Sequence, residues 1–420
     1  MSVERLIVRG KRKLSGEICV QGSKNSTLPI IAAAVLCEGE IVLHNCPELT
    51  DVDAAVNILE HLGCKIRREN NTLVIDSTTV SVSEISETLM HEMRSSIVFL
   101  GALLARTGKA VLSTPGGCEI GVRPIDLHLK AMRDLGVNIK EENGKLICKA
   151  EKGITGNEIS LAFPSVGATE NVMLAASLSK GRTILNNAAR EPEIKNLADF
   201  LTLCGAKIYF AGESKIIIDG VTKLHGCEFT VISDRIVAAT YMACAAVTSG
   251  EMDILNFPVS HISPILPFFT STGCRIMADE NNLHIKAPKK LRSPGTVRTM
   301  PYPGFPTDFQ APAMVVASVS DGISIFIETI FESRYKHVPE LRKMGANISV
   351  EGAVAVVQGV NKLTSANVYA DDLRGGAALV VAALAAEGET SIFNLKHIDR
   401  GYEKLEKNLA LSGADITREV

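Results

Sequence analysis

The sequence predicts an α/β protein of six similar units, grouped as two three-unit domains around a cleft. Two repeated features predict this class. Six segments end a helical pattern with a glycine and then enter a strand, and six nearly all-apolar helices recur between them. The six glycines are Gly63, Gly136, Gly205, Gly273, Gly345 and Gly413. A regular period of this kind indicates one supersecondary unit used repeatedly.

Each unit begins with a helix that is apolar on all sides. The six helical segments are LPIIAAAVL, SSIVFLGALLA, ENVMLAASL, IVAATYMACAAV, FQAPAMVVASV and AALVVAALAA. A helix without a polar face belongs in a core, with other elements around it. A glycine then opens a short strand, as in GEIVLHN, and an amphipathic helix such as VPELRKMG follows. Two strands close the unit, joined by turn residues such as Asn143-Gly144.

The two chain ends complete each other in this scheme. The last unit stops at SGADITREV, without its closing strands, and the N-terminal stretch RLIVRGKRKLSGEICVQGSKNS has the missing strand pattern. We therefore expect the N-terminus to complete the sixth unit. The predicted domains are residues 24–232 and residues 1–23 together with 233–420, with a cleft between them as the expected place for ligands.

Composition argues against several classes of protein. The chain has 44 Lys and Arg against 47 Asp and Glu, and this balance gives no basis for a nucleic-acid partner. The N-terminus has no secretion-signal pattern, and the apolar runs are shorter than the ~20 residues of a membrane span. We expect a soluble cytoplasmic protein with no membrane partner.

The ten cysteines include no CxxC pair, which argues against both a disulfide framework and a zinc site. We interpret six of them as buried fillers: Cys19, Cys64, Cys148, Cys204, Cys244 and Cys274. Cys118 differs because it lies in the glycine-rich stretch PGGCEIGVRPIDLH, close to Arg123. A nearby arginine favours the thiolate. The spacing leaves open whether Cys118 is reactive, and whether it would act as nucleophile or acid.

Cations open four of the six buried helices, namely Lys24, Arg94, Arg235 and Arg374. A cation is unfavourable beside the partial positive charge of a helix N-terminus, so its presence points to an anionic ligand. Loops that follow the short strands add Arg123, Arg334 and Arg400. The alternative for the four cations that open helices is that they pair with Asp234, Asp308 and Asp372 across the cleft. The segment GSKNST lacks the glycine and lysine order of a phosphate-binding P-loop.

Seven long motifs resemble one family. They are GSKNSTLP, PGGCEIGVRPIDLH, FPSVGATENVMLAA, NAAREPEI, PGFPTDFQAP, ESRYKHVPELRKMGA and HIDRGYEKLE. Together they resemble the enolpyruvyl transferases that begin peptidoglycan synthesis. The resemblance implies an inside-out α/β barrel of two three-repeat domains. It also implies transfer of enolpyruvyl from phosphoenolpyruvate to the 3-hydroxyl of UDP-N-acetylglucosamine, with release of phosphate and with no metal or organic cofactor.

The resemblance also assigns roles to individual residues. Cys118 matches the loop cysteine that protonates the methylene carbon of phosphoenolpyruvate and reacts with fosfomycin, and Asp308 matches the base for the sugar hydroxyl. Lys24, Asn25 and Arg400 match contacts to phosphoenolpyruvate. The remaining implied substrate contacts are Arg94, Arg123, Pro124, Ile125, Asp126, Leu127, His128, Ser165, Val166, Glu191, Ile330, Arg334 and Arg374.

Two other functions stay open at this point. The sister enzymes that transfer enolpyruvyl to shikimate 3-phosphate share the six-repeat plan, and a non-catalytic relative would bind the sugar nucleotide as a regulator or scaffold. The run RPIDLH after the cysteine loop favours the nucleotide substrate. Lys24, Cys118, Asp308 and Arg400 favour catalysis, because protonation at carbon and attack by a hydroxyl need an acid and a base at different positions.

Overall fold

The computed structural model describes residues 4–93, 95–113 and 125–419. Its helices are α1 (Lys24–Ala34), α2 (Thr50–Leu62), α3 (Glu87–Glu92), α4 (Phe99–Thr107), α5 (Asp126–Asp134), α6 (Val166–Ser177), α7 (Pro192–Leu203), α8 (Arg235–Val247), α9 (Leu266–Ser271), α10 (Gln310–Ser318), α11 (Val338–Lys343), α12 (Leu373–Ala385) and α13 (Leu405–Leu411). Short 3₁₀ turns are Ser96–Val98, Val259–Ile262, Thr307–Phe309 and Leu395–His397.

The strands of the described residues are short. They are β1 (Arg5–Arg9), β2 (Ser15–Cys19), β3 (Cys37–Glu38), β4 (Glu40–His44), β5 (Lys65–Glu69), β6 (Thr72–Asp76), β7 (Glu84–Ile85), β8 (Lys109–Ser113), β9 (Asn138–Glu142), β10 (Lys145–Lys149), β11 (Glu158–Ser160), β12 (Arg182–Asn186), β13 (Lys207–Phe210), β14 (Ile216–Asp219), β15 (Leu224–His225), β16 (Glu228–Thr230), β17 (Glu251–Leu255), β18 (Arg275–Ala278), β19 (Leu283–Lys286), β20 (Leu291–Arg292), β21 (Thr296–Arg298), β22 (Ser320–Asp321), β23 (Ile323–Ile327), β24 (Asn347–Glu351), β25 (Val354–Gln358), β26 (Asn367–Tyr369), β27 (Glu389–Phe393) and β28 (Asp415–Glu419).

Within the described residues, 24 of these strands form six four-stranded sheets with one plan, and the other four form the two-stranded sheets β15-β3 and β20-β22. The strand orders are β16-β4-β6-β5, β7-β8-β10-β9, β11-β12-β14-β13, β18-β19-β17-β2, β21-β23-β25-β24 and β26-β27-β1-β28. In each four-stranded sheet the strand opened by the glycine that follows an apolar helix has one parallel neighbour and one antiparallel neighbour, as β4, which follows Gly39, has in β16 and β6. Asn143 and Gly144 join β9 to β10 with φ of 51° and 72°, as a two-residue hairpin turn requires.

The N-terminal strand completes the last sheet. β1 lies between β27 and β28, where Ile7 is opposite both Ser391 and Thr417. This confirms the prediction that the N-terminus supplies the strand that the sixth unit lacks. The next strand, β2, pairs in parallel with β17 and so joins a different sheet.

The described residues divide into two compact units, each much larger than one of the repeats described above, and "unit" has this meaning from here on. One contains residues 4–21 and 233–419, and the other contains residues 22–93, 95–113 and 125–232. Each unit has its own hydrophobic core. In each core three of the apolar helices lie together, α8, α10 and α12 in the first unit and α1, α4 and α6 in the second. Helix α8 is buried at every residue from Arg235 to Ala246, as its sequence predicts.

Most of the cysteine predictions are confirmed, and one is wrong. The structure describes nine free cysteines, of which Cys64, Cys148, Cys204, Cys244 and Cys274 are buried as expected. Cys19 is exposed, because side chains alternate along β2 and its neighbour Ile18 is the one that faces the core. Cys118 lies outside the described residues. Along the part of the chain that the structure covers, none of the helices is long and apolar enough to cross a membrane.

Candidate active site

Lys24 is the first residue of α1, and its side chain is buried beside an acid. Ser23 caps the helix by accepting a hydrogen bond from the Ser26 backbone N–H. The Lys24 Nζ donates to Asp51 Oδ2 at 3.0 Å, and Asp51 is itself 2% exposed in the first turn of α2. The ammonium group and the helix N-terminus therefore present positive charge from one place, which suits a phosphate or carboxylate.

His128 is held in one tautomer within the same unit. The side-chain amide of Asn171 donates to His128 Nδ1 at 2.9 Å, which leaves the proton on Nε2. Burial lowers the pKa of His128 to about 4, so the ring is neutral near pH 7. Gly167 lies against this ring, where an added Cβ would be 3.0 Å from His128 Cε1. This packing fixes the N-terminus of α6, which Ser165 caps.

Carboxylates gather near the start of α7. Burial, helped by Glu193 and Glu191, raises the pKa of Glu170 well above its ordinary value. The Glu191 side chain accepts a hydrogen bond from the Arg190 backbone N–H at 3.0 Å, while the Arg190 guanidinium pairs with Glu213. The predicted contact Glu191 is thus part of an acidic group in which Glu170 favours its protonated form.

The other unit holds Asp308 between two buried arginines. Its Oδ1 accepts from Arg334 at 2.8 Å, and its Oδ2 accepts from Arg374 at 3.0 Å. The arginine side chains are 4% and 2% exposed, whereas Asp308 is 28% exposed. Two guanidinium groups therefore fix the direction of a carboxylate that solvent or a ligand still reaches.

Tyr402 extends this cluster toward Arg400. Its hydroxyl accepts from Arg374 at 3.2 Å and lies 3.0 Å from Thr240 Oγ1. Burial works against the charged form of Arg374, but Tyr402 and the carboxylates Asp308 and Asp234 outweigh it and raise its pKa. The Gln21 side chain then donates to the Gly401 carbonyl and accepts from the Glu403 backbone N–H, and so holds the loop that carries Arg400.

Glu328 shapes the loop of the predicted contact Ile330. Its Oε1 accepts from the backbone N–H groups of Ile330 and Phe331 at 2.8 and 3.1 Å. Its Oε2 accepts from the Thr307 hydroxyl at 3.0 Å. Since Thr307 precedes Asp308, one buried carboxylate links the loop of Ile330 to the 3₁₀ turn of the candidate base.

Of the cations that open helices, Arg374 does pair with a carboxylate, but the pair lies within one unit and not across a cleft. Asp308 pairs with Arg334 and Arg374 inside one unit. Asp234 and Asp372 instead cap α8 and α12, accepting from backbone N–H groups. The acids of this set therefore have two different roles. Asp234 and Asp372 cap helices, whereas Asp308 forms ion pairs with two arginines.

The structure thus describes two groups of predicted site residues, one in each unit. Ile125 precedes α5, Asp126 and Leu127 lie in its first turn, and Asn25 and Val166 stand at the starts of α1 and α6. Arg94, Cys118, Arg123 and Pro124 lie outside the described residues. Within the described ranges, no group of three or more His, Cys, Asp or Glu side chains is arranged to hold a metal ion.

Several residues that organise the site were missed from the sequence. They are Gln21, Asp51, Asn171, Glu328 and Tyr402. A signal existed for two of them, because Tyr402 stands in HIDRGYEKLE and Asn171 in FPSVGATENVMLAA, both motifs that carry the resemblance. Gln21 and Asp51 act through contacts that are far apart in sequence, and Glu328 joins its own loop to Thr307, 21 positions away, which spacing alone does not reveal.

Comparison with known proteins defines the class of protein to which this chain belongs. The model of the EPSP synthase family (3-phosphoshikimate 1-carboxyvinyltransferase) matches residues 8–409. The enolpyruvyl transferase NikO from Streptomyces tendae has the same fold, with a TM-score of 0.90 over 99% of both chains at 24% identity. The fold and the family model together define an enolpyruvyl-transferase architecture.

Closer relatives narrow the assignment. UDP-N-acetylglucosamine 1-carboxyvinyltransferase 2 from Caldanaerobacter subterraneus subsp. tengcongensis is 51% identical over 411 residues, 98% of each chain. UDP-N-acetylglucosamine 1-carboxyvinyltransferase from Trichlorobacter lovleyi is 45% identical over 416 residues, 99% of each chain. The chain belongs to the EPSP synthase family, and within it to the UDP-N-acetylglucosamine 1-carboxyvinyltransferases.

Proposed function

We propose that this chain transfers the enolpyruvyl group of phosphoenolpyruvate to the 3-hydroxyl of UDP-N-acetylglucosamine and releases phosphate, the first step of peptidoglycan synthesis. The observation that carries the proposal is the 45–51% identity, over nearly the full length, with relatives named for this reaction. The charge of the site supports it, because both reactants are anions and the described cations at buried helix starts are Lys24 in one unit and Arg235 and Arg374 in the other.

Phosphoenolpyruvate is bound by Lys24, Asn25 and Arg400, with Arg334 and Arg374 extending the positive region. The buried Lys24–Asp51 pair supports this role, since Asp51 holds the ammonium group at the N-terminus of α1. Arg94 and the segment from Arg123 to His128 bind the sugar nucleotide. Ser165, Val166, Glu191 and Ile330 are its further contacts.

Asp308 acts as the base for the sugar 3-hydroxyl. As the hydroxyl loses its proton, its oxygen attacks C2 of phosphoenolpyruvate, and C3 takes a proton from Cys118. Return of a proton from C3 to the enzyme then expels phosphate and restores the double bond. What supports Asp308 is its fixed, partly exposed carboxylate between two arginines. Acid and base groups of this kind each contribute ~10²–10⁴-fold in rate.

The finer architecture belongs to the same proposal. We infer an inside-out α/β barrel of six repeats, in domains of residues 24–232 and residues 1–23 with 233–420, around a cleft that takes both substrates. The common plan of the six four-stranded sheets among the described residues supports it. The enzyme works in the cytoplasm, without a metal or organic cofactor, and has these two small molecules as its partners.

The deciding experiment measures phosphate release from phosphoenolpyruvate with each acceptor in turn. We expect release with UDP-N-acetylglucosamine and none with shikimate 3-phosphate. Release with shikimate 3-phosphate alone would assign the sister reaction. Release with neither acceptor, while UDP-N-acetylglucosamine still binds, would assign a non-catalytic sugar-nucleotide-binding protein.

Replacing the loop cysteine tests the proposed role of Cys118 as the acid that protonates phosphoenolpyruvate. Cys118→Ser is expected to lower turnover by about 10²-fold or more and to abolish labelling by fosfomycin, because a serine hydroxyl is a far weaker acid than a thiol. Binding of UDP-N-acetylglucosamine, measured by calorimetry, stays within a few-fold of the wild type. Cys19→Ser, at an exposed cysteine, is the matched control and leaves all three readouts unchanged. Full turnover in Cys118→Ser would remove this thiol from the mechanism.

A further inference from the structure

One sheet of the unit formed by residues 4–21 and 233–419 has an apolar outer face. On its central strands β23 and β25, the outward side chains Ile323, Ile325, Val354 and Val356 are 60%, 36%, 37% and 37% exposed. The residues between them face the core, as the alternation of a strand requires. Exposed branched apolar side chains on neighbouring strands form a continuous patch, which on a soluble protein usually marks an interface.

The other sheets serve as an internal comparison. Among the described residues, the strand opened by the glycine that follows each apolar helix (β4, β8, β12, β17, β23 or β27) begins with a charged residue in five of the six sheets, opposite another charged residue. These pairs are Glu40–Asp76, Lys109–Lys149, Arg182–Asp219, Glu251–Lys286 and Glu389–Arg9. In the sixth sheet Ile323 takes this position, opposite Gln358. The charged pair that occupies this position in the other five sheets is therefore replaced by Ile323 and Gln358 on this face.

Opposite charges stand at the two edges of the same face. Strand register places Arg298, Ile327, Val354 and Glu351 in a single row across the sheet. Arg298 is exposed on the edge strand β21, and Glu351 is exposed on the edge strand β24. The row thus runs from a cation through two apolar side chains to an anion.

This arrangement is complementary to itself. A second copy can lie face to face, related by a two-fold axis that runs parallel to the strands. That rotation exchanges the left and right edges but keeps each row at its level. Arg298 then meets Glu351 of the second copy, Ile327 meets Val354, and Ile325 meets Val356. Self-complementarity of one patch is what an isologous two-fold interface requires.

We propose that the outer face of sheet β21-β23-β25-β24 is a homodimer interface. Four strands about 5 Å apart and three rows about 7 Å apart give a flat contact of about 400 Å² per copy. A typical stable complex buries ~800 Å² per partner. The dimer is therefore weak, so its population depends on protein concentration.

Sedimentation velocity of the full chain over a wide range of concentration tests the proposal. We expect a monomer at low concentration and a dimer at high concentration. Ile325→Lys puts two charges into the centre of the interface, one from each copy, and raises the dimer dissociation constant about tenfold or more. The matched control is Ile184→Lys, at the corresponding middle position of β12, and it leaves association unchanged.

Charge exchange tests the two-fold arrangement itself. Arg298→Glu and Glu351→Arg each weaken association, because like charges then face each other at both ends of the row. A mixture of the two single variants restores it, since every Glu then meets an Arg. A wild type that stays monomeric at all concentrations overturns the proposal, and so does a dimer that is insensitive to Ile325→Lys. A mixture that fails to associate while the wild type dimerises overturns the arrangement.

Discussion

At the scale of single residues, the chemistry of this protein rests on charges that the fold takes out of water. Among the described residues, two such groups are Lys24 with Asp51, and the buried Arg334 and Arg374 with Asp308. A buried charge is tolerated only when another charge or several hydrogen bonds compensate its lost hydration. Removal of one member should therefore affect its partners as much as the reaction.

The base Asp308 gives the first prediction at this scale. Asp308→Asn keeps the size of the side chain but removes the proton acceptor, so turnover should fall by about 10²–10⁴-fold. Binding of UDP-N-acetylglucosamine, measured by calorimetry, should change much less. Asp321→Asn, at an exposed aspartate that pairs with Lys290 in the same unit, is the control and should keep full activity. Near-normal turnover in Asp308→Asn would rule out its role as base.

Asp51 gives the second prediction, as the residue that positions Lys24. Asp51→Asn removes the carboxylate charge that pairs with the buried ammonium group and should destabilise the protein by about 3 kcal/mol. The KM for phosphoenolpyruvate should rise more than the KM for the sugar nucleotide. Asp53→Asn on the same helix removes an exposed partner of Arg68 and serves as control. An equal rise of both KM values would mean that Asp51 has only a structural role.

At the scale of elements, the repeat glycines end the amphipathic helices. All six have φ between 86° and 103°, in the left-handed region that other residues adopt at a cost. The chain leaves each helix at this point and enters a strand, such as β5 after Gly63 or β9 after Gly136. One backbone requirement thus explains why the same residue recurs in every repeat.

Two of these glycines allow a matched comparison. Gly136→Ala has space for its Cβ, with no atom within 4 Å, so only the left-handed backbone opposes it, at about 1 kcal/mol. Gly63→Ala adds a Cβ 2.9 Å from the Thr79 carbonyl oxygen and should cost clearly more. Urea unfolding of both variants measures the difference. Equal losses of stability would show that the contact with Thr79 relaxes without cost.

At the scale of the whole molecule, two buried neutral histidines make stability depend on pH. Burial lowers the pKa of His128 and of His337 to about 4, and they lie in different units. Between pH 6.5 and 4 the unfolded chain binds protons at these positions and the folded protein does not. The contribution of these two histidines to stability is therefore fully present above pH 6.5 and is lost as the pH is lowered toward 4, by ~1.4 kcal/mol per pH unit for each histidine.

His337→Gln tests this dependence through its slope, because the slope is separate from any overall loss of stability. Unfolding free energies measured at several pH values should show a shallower decline in the variant between pH 6.5 and 4. His91→Gln, at an exposed histidine, should keep the wild-type slope. A slope unchanged by His337→Gln would mean that His337 takes up a proton in the folded protein.

The sequence predicted much of the local structure for identifiable physical reasons. Periodicity gave the buried helices and the amphipathic helices, because burial on one face or on all faces leaves a regular pattern of apolar residues. The missing strand pattern at the C-terminus predicted the place of β1 in the last sheet. Ile323 also carried a readable signal, since it is the apolar residue at a position that is charged in the other five repeats.

Pairing between distant residues was decided only by the tertiary structure. Cys19 was expected to be buried, but which face of β2 points outward depends on the sheet that it joins. Asp308 could be recognised as a candidate, whereas its position between Arg334 and Arg374 could not, because those residues are 26 and 66 positions away. Sequence patterns record which side chains must be buried and where the backbone must turn, since these are local requirements. Which charges meet depends on how the helices and strands pack together.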